Sequence, residues 1–163
     1  MISEIRKSKP DTLKAYCDIS GYDINGSTLP QDILVSTGEG SRPDLVLINR
    51  ESKLISILEL TCCFETNVEA AHSRKTNKYT FMKNDLEELG YKVDLVPFEI
   101  GSRGHITKKN INNLTNIFTK HKIKTNVKSM SKTLGKISLL CTFAIFTAYQ
   151  QPSWVSPPLL QIN

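Results

Sequence analysis

No aspartate or glutamate occurs between Ile100 and Asn163, although nine lysines and arginines do. Residues 1–99 hold all 16 acids against 12 lysines and arginines, so the overall charge of +5 divides into −4 followed by +9. A charge split between the two parts of a chain suits an anionic partner, nucleic acid or a membrane surface; a solvated lysine-rich face is the plain alternative. A long apolar run is also missing. The most apolar segment, Ile137 to Tyr149, has 13 residues, whereas a spanning helix needs about 20. That excludes stable membrane insertion and predicts a helix packed on the domain or on a partner. Cysteine is sparse: Cys17, Cys62, Cys63 and Cys141 form no C-x-x-C pair, and no histidine stands at zinc-finger spacing, which argues against a structural zinc. Adjacent Cys62 and Cys63 in a strand would face opposite ways, so a bond between them is not expected. The start, Met1 to Lys7, lacks the apolar core of a secretory signal, and buried, reduced cysteines in an intracellular protein follow as the expectation.

What is present is ordinary for one folded unit. A chain of 163 residues with 39% hydrophobic and 23% charged residues has the size of a single domain with one core. Two apolar runs, Leu45 to Ile48 and Leu54 to Thr61, are separated by Asn49-Arg50-Glu51-Ser52-Lys53, which predicts an antiparallel hairpin. Alternation puts Glu59 and Thr61 on one face with Ile55 and Ile57, and Leu54, Leu58 and Leu60 on the other. Glu59 is therefore an acid within a hydrophobic strand, and Asp44 precedes the neighbouring strand. Two such carboxylates need a cation or a proton, or an outlet to solvent or an arginine. A hard divalent ion taking oxygen ligands would compensate both.

Along the rest of the chain, Pro10-Asp11-Thr12 predicts a helix over Leu13 to Ile19, and Asp32 to Ser36 reads as a first strand after a turn-rich connector. Val68, Ala71, Lys75, Tyr79, Met82, Leu86 and Leu89 recur at steps of three and four, which predicts one helix over Thr66 to Leu89 with an apolar stripe. Lys75 interrupts that stripe, so it either snorkels or meets an acid. His72, one turn earlier, suits a cap or surface role, with a minor place in a site as the alternative. Gly90 closes the helix, and Tyr91 to Phe98 is the next strand, with Pro97 marking an edge or a strand end. Gly101 to His105 is a cationic loop, Thr107 caps a helix carrying Ile111, Leu114 and Phe118, and Lys120 to Lys136, with six lysines, reads as a linker or a phosphate-binding surface. The tail from Gln150 to Pro158 is expected to be extended and docked.

Taken together, Arg42-Pro43-Asp44-Leu45, the strand ending Glu59-Leu60-Thr61, the helical Lys75-Thr76-Asn77-Lys78-Tyr79 and Pro97-Phe98-Glu99-Ile100-Gly101 ahead of Gly104 resemble the PD-(D/E)XK nuclease superfamily. The nearer likeness, over about residues 40–120, is to the restriction-like endonuclease domain of site-specific non-LTR retrotransposons. The resemblance implies an α/β fold with a restriction-endonuclease-like core over residues 1–120, a central mixed sheet flanked by helices. Residues 121–163 would add a basic segment, the apolar helix and a Pro-rich tail. It implies Mg2+ or Mn2+ held by Asp44, Glu59 and the Leu60 carbonyl, catalysis by Asp44, Glu59, Lys75 and Lys78, and nucleic-acid contacts from Arg42, Arg74, Tyr79, Arg103, Lys108 and Lys109.

One departure matters. The third signature position is usually lysine and is Thr61 here, whereas in the retrotransposon branch the lysine is thought to come from the following helix, which points to Lys75 or Lys78. The implied activity is metal-dependent DNA cleavage in a nuclear setting. A reverse transcriptase or other retroelement domain is the implied partner, and a homodimer is compatible with it. The alternative is an inactive nucleic-acid-binding or interaction module that keeps the fold. A weaker rival is a membrane-surface protein using the basic tail and residues 137–149.

Overall fold

The computed structural model describes residues 1–17, Pro30, Ile33 and 42–150. The connector after residue 21 and the strand expected at Asp32–Ser36 lie outside the described residues except for Pro30 and Ile33, and the tail after Gln150 lies outside them entirely. In chain order the elements are helix α1 (Ile2–Ser8), strands β1 (Leu13–Cys17), β2 (Leu45–Asn49) and β3 (Leu54–Cys63), a 3-10 turn (Glu65–Asn67), helix α2 (Val68–Glu88), strand β4 (Lys92–Gly101), and helices α3 (Lys108–Lys120) and α4 (Val127–Tyr149).

The four strands form one mixed sheet in the order β1-β2-β3-β4. The first two pairings are antiparallel and the last is parallel. The expected hairpin is present: Asn49 pairs with Leu54, the side chain of Asn49 accepts from Ser52 N at 3.1 Å, and Lys53 turns the chain at φ 49°. Parallel strands need a long crossover, which α2 supplies between β3 and β4. Pro97 lies on β4, an edge strand, where a missing N–H removes no ladder bond.

The alternation foreseen for β3 holds, and it divides the core in two. On one face Leu45, Leu47, Leu58, Phe98 and Ile100 pack with Ile5, with Leu114, Ile117 and Phe118 of α3, and with Val127 and Met130 of α4. On the other, Val46, Ile48, Ile55, Ile57 and Val93 pack with Ile33 and with Tyr79, Met82 and Leu86 of α2. Full burial of each such side chain contributes about 1.5–3 kcal/mol, so both faces are committed and one helix layer covers each.

Several expectations are corrected. The described part of the helix predicted over Leu13–Ile19, Leu13–Cys17, is instead strand β1, and a helix lies earlier, at Ile2–Ser8. Leu13, Ala15 and Cys17 are buried while Lys14 is exposed, a period of two, and pairing with β2 outweighs the start signal, which serves as a turn with Leu13 N on Pro10 O. Lys120–Lys136 is no linker: Asn126 caps Ser129 N at 3.0 Å and α4 begins at Val127, with Met130, Ser131 and Gly135 buried. Ile123, Val127 and Met130 thus share the core with Leu114 and Phe118. The segment 137–149 is helical as expected, and of its two expected packings, on the domain or on a partner, the first is slight: Leu140, Phe143, Phe146 and Tyr149 are all more than half exposed. Finally, Leu89 caps α2 in solvent rather than ending its buried stripe, and Cys62 and Cys141 are exposed, not buried. Among the described residues no helix is long and apolar enough to cross a membrane.

Candidate active site

The face of β3 that carries Ile55 and Ile57 brings Glu59 under α2. Glu59 is 3% exposed, and such a carboxylate must be compensated where it lies. Lys75 does this: its ammonium donates to Glu59 Oε1. The lysine that interrupts the apolar stripe of α2 therefore meets an acid instead of snorkelling, although its side chain keeps 20% exposure.

Asp44 is tied to the same carboxylate through the backbone. Asp44 N–H donates to Glu59 Oε2 at 3.2 Å, and Leu60 N–H donates to Asp44 Oδ2 at 2.7 Å. Each acid thus accepts from the backbone of the other's segment, which fixes both at the end of the β2/β3 pairing. Pro43 is buried and Asp44 half-buried, so the charged end of the pair stays within reach of solvent. Thr61, one step past Leu60, has a buried hydroxyl with no hydrogen-bond partner among the described residues.

Tyr79, expected to touch nucleic acid, is fully buried. Its hydroxyl donates to Arg42 O at 3.0 Å, so it anchors the backbone that leads into Asp44. Lys78 is exposed, with its ammonium 4.8 Å from the Tyr79 ring centre, and does not join Glu59. Residues three apart lean to one side only if packing draws both inward, and here only Lys75 lies on the packed face. Arg42, Arg74, Lys108 and Lys109 are exposed. Arg103, also exposed, is held by Glu65, which accepts from Arg103 N at 2.9 Å and Nε at 3.2 Å. Donation from that backbone N–H, more than any other cause, holds the Glu65 carboxyl below its ordinary range.

The structure adds a second polar pair, His72 with Glu99, that the sequence patterns did not join. Glu99 of β4 is 2% exposed and accepts from His72 Nδ1 at 2.9 Å, with Asn110 Nδ2 of α3 donating to its other oxygen at 2.9 Å and to its backbone carbonyl at 3.0 Å. His72 and Lys75, one turn apart on α2, thus reach buried acids on adjacent strands. Parity could have found this: Phe98 and Ile100 point into one core face, which leaves Glu99 on the opposite side of an apolar strand. Nearby, burial pushes the Cys63 thiol up, with Glu99 adding to it, so this sulfur stays protonated.

Asp44 and Glu59 are oxygen donors held together, the kind that suits magnesium, which needs one or two carboxylates and keeps several waters. The chemistry of these donors therefore fits the expected ion, although no group of three His, Cys, Asp or Glu that could hold a metal occurs among the described residues. Comparison with known families finds no family model that matches the chain, and comparison with curated proteins finds no match.

Proposed function

We propose that the chain is a metal-dependent DNA endonuclease, related to the restriction-like endonuclease domains of site-specific non-LTR retrotransposons. The observation that carries this reading is the meeting of three residues from separate segments: Asp44 and Glu59 joined through the backbone, with Lys75 from α2 donating to Glu59. A short leading helix and a mixed sheet flanked by helices are also what a restriction-endonuclease-like core requires.

In this reading Asp44, Glu59 and the Leu60 carbonyl hold Mg2+ or Mn2+. The bound ion supplies an activated water for in-line attack on a phosphodiester and stabilisation of the leaving oxygen. Lys75 offsets the charge of Glu59 while the site is at rest, and its three donors also suit a water or a phosphate oxygen. Lys78, Arg42, Arg74, Lys108 and Lys109 offer cations to the backbone of the nucleic acid, which orients it without reading its bases. Sequence choice then belongs to partners such as a reverse transcriptase, in a nuclear setting.

One observation favours a second reading, an inactive binding module. Thr61 stands where the superfamily usually has lysine, and its hydroxyl has no hydrogen-bond partner among the described residues. The deciding experiment is cleavage of plasmid and single-stranded DNA in manganese and magnesium by wild type, Asp44→Ala and Lys75→Ala. Metal-dependent cutting abolished by both substitutions supports the enzyme. DNA binding with no cutting by wild type supports the module.

A further inference from the structure

Three lysines of α4, Lys128, Lys132 and Lys136, stand four residues apart and so line one face of the helix. Like charges at that spacing destabilise a helix unless an anion compensates. The row borders a cleft of roughly 400 Å3 between α4, the loop after β4 and α3, which Arg103 and Ser131 also line. Among the described residues no acid lines this cleft, and none exists in the sequence beyond Glu99. Glu65 engages Arg103 through Nε from outside it, which orients the guanidinium while leaving its terminal nitrogens as donors.

The independent sign of a ligand is Ser131. It is 3% exposed, lines the cleft, and its hydroxyl oxygen is buried with no hydrogen-bond partner among the described residues. An unpaired buried hydroxyl costs free energy that an acceptor in the cleft would recover. Gly104 and Gly135, whose backbones approach so closely that a Cβ on either would lie 2.5 Å from the other's carbonyl oxygen, keep side chains out of the cleft wall.

We infer that this cleft binds the phosphodiester backbone of nucleic acid, with Lys128, Lys132, Lys136 and Arg103 pairing with phosphate charge and Ser131 donating to a phosphate oxygen. The cleft belongs to the same end of the sheet as the candidate site. Ser138 of α4 bonds Gly101 O at 3.0 Å and Cys62 Sγ at 3.0 Å, at the C-terminal ends of β4 and β3, just past Glu59. Ligands of open α/β sheets gather at such strand ends. The choice of nucleic acid over another phosphate rests on the proposed nuclease reading; the anion site itself does not.

The test is fluorescence anisotropy of a labelled DNA duplex with the full chain in EDTA, across a salt titration, for wild type, Lys132→Gln/Lys136→Gln and Ser131→Ala. The lysine variant is expected to weaken binding about tenfold or more at low salt and to reduce the slope of log K against log salt by about 0.9 per lost contact. Ser131→Ala is expected to weaken it about fivefold with the slope unchanged. Circular dichroism and the thermal midpoint confirm that each variant folds, and Lys132→Arg/Lys136→Arg is expected to restore both affinity and slope. Unchanged affinity and slope in the folded glutamine variant overturns the proposal. So does lysine-dependent binding to phosphatidylglycerol vesicles without duplex binding, which would make the ligand a lipid headgroup. Because binding is read without divalent ions, duplex binding that needs these lysines stands even if the wild type never cuts DNA, and cutting unaffected by their loss removes the cleft while leaving the nuclease.

Discussion

Lys75 of α2 donates to the buried carboxylate of Glu59 on β3, across the apolar interface between helix and sheet. Removing one partner of a buried ion pair leaves the other charge uncompensated, and this is costlier than removing both. Because Lys75 keeps partial access to solvent, Lys75→Met is expected to destabilise the fold by about 2 kcal/mol, and Lys75→Met/Glu59→Gln to recover part of that loss. Urea unfolding of the four members of this double-mutant cycle measures the coupling. Lys78→Ala, away from Glu59, should leave stability within about 0.5 kcal/mol.

Addition of manganese should raise the thermal midpoint of the wild type, since a ligand that binds only the folded state stabilises it by about 2.7 kcal/mol at a hundredfold excess over Kd. The rise should vanish in Asp44→Asn and in Glu59→Gln and persist in Lys78→Ala. A shift that survives Asp44→Asn would move the ion away from these carboxylates.

His121 is fully buried, with Nε2 2.8 Å from Ser56 Oγ and with Nδ1 lacking a hydrogen-bond partner among the described residues. Burial pushes its pKa down from 6.5 to about 4, with Asp94 opposing and Lys120 adding to the shift. A depressed histidine is neutral in the folded chain while the unfolded chain takes up a proton, so its contribution is complete above pH 6.5 and lost as the pH falls toward 4. Stability should therefore drop by up to about 3 kcal/mol across that window. Ser56→Ala/His121→Leu, which removes both partners, should flatten the drop in chemical unfolding measured at several pH values.

Gly104 has φ +83°, and the contact with Gly135 leaves no room for a methyl group on either side. Gly104→Ala combines about 1 kcal/mol of left-handed strain with about 1–3 kcal/mol of overpacking. Gly135→Ala should show about the overpacking part alone. Gly90, also at φ +83°, would meet nothing nearer than Lys53 Nζ at 3.8 Å, so Gly90→Ala should cost only about 1 kcal/mol. Thermal midpoints of the three variants rank them.

Glu99 is held by His72 and Asn110 in a nearly dry setting. Asn110→Leu deletes one donor to a buried carboxylate and should cost about 1–3 kcal/mol. His72→Ala, at a partly exposed position, should cost less. If the two are equal by urea unfolding, the helix contact of His72 carries more than its exposure implies.

Local pattern was informative wherever one contact layer decided the outcome. The alternation in Leu54–Thr61 set which residues face α2, the spacing from Val68 to Leu86 set the helix that covers them, and Thr107 capped α3 as its chemistry demands. It misled at Leu13–Cys17, where five residues suit either period and pairing with β2 chose the strand. It misled again over Lys120–Lys136, because a lysine-rich surface concealed the few small and apolar residues, Val127, Met130, Ser131 and Gly135, that are buried.

By itself, then, the sequence determined the hairpin, the polarity of its two faces, the long helix over it and the concentration of positive charge after Ile100, since each depends on neighbours within one or two turns. Only the tertiary structure decided that Lys75 and not Lys78 reaches Glu59, that Tyr79 is an internal anchor for Arg42, that Glu99 pairs with His72, and that the lysines of α4 close on Arg103 and Ser131 around one cleft. Those partners are separated by up to 37 positions in the chain or belong to different layers. Their meeting is set by how helices seat on the sheet, a geometry no short-range pattern encodes.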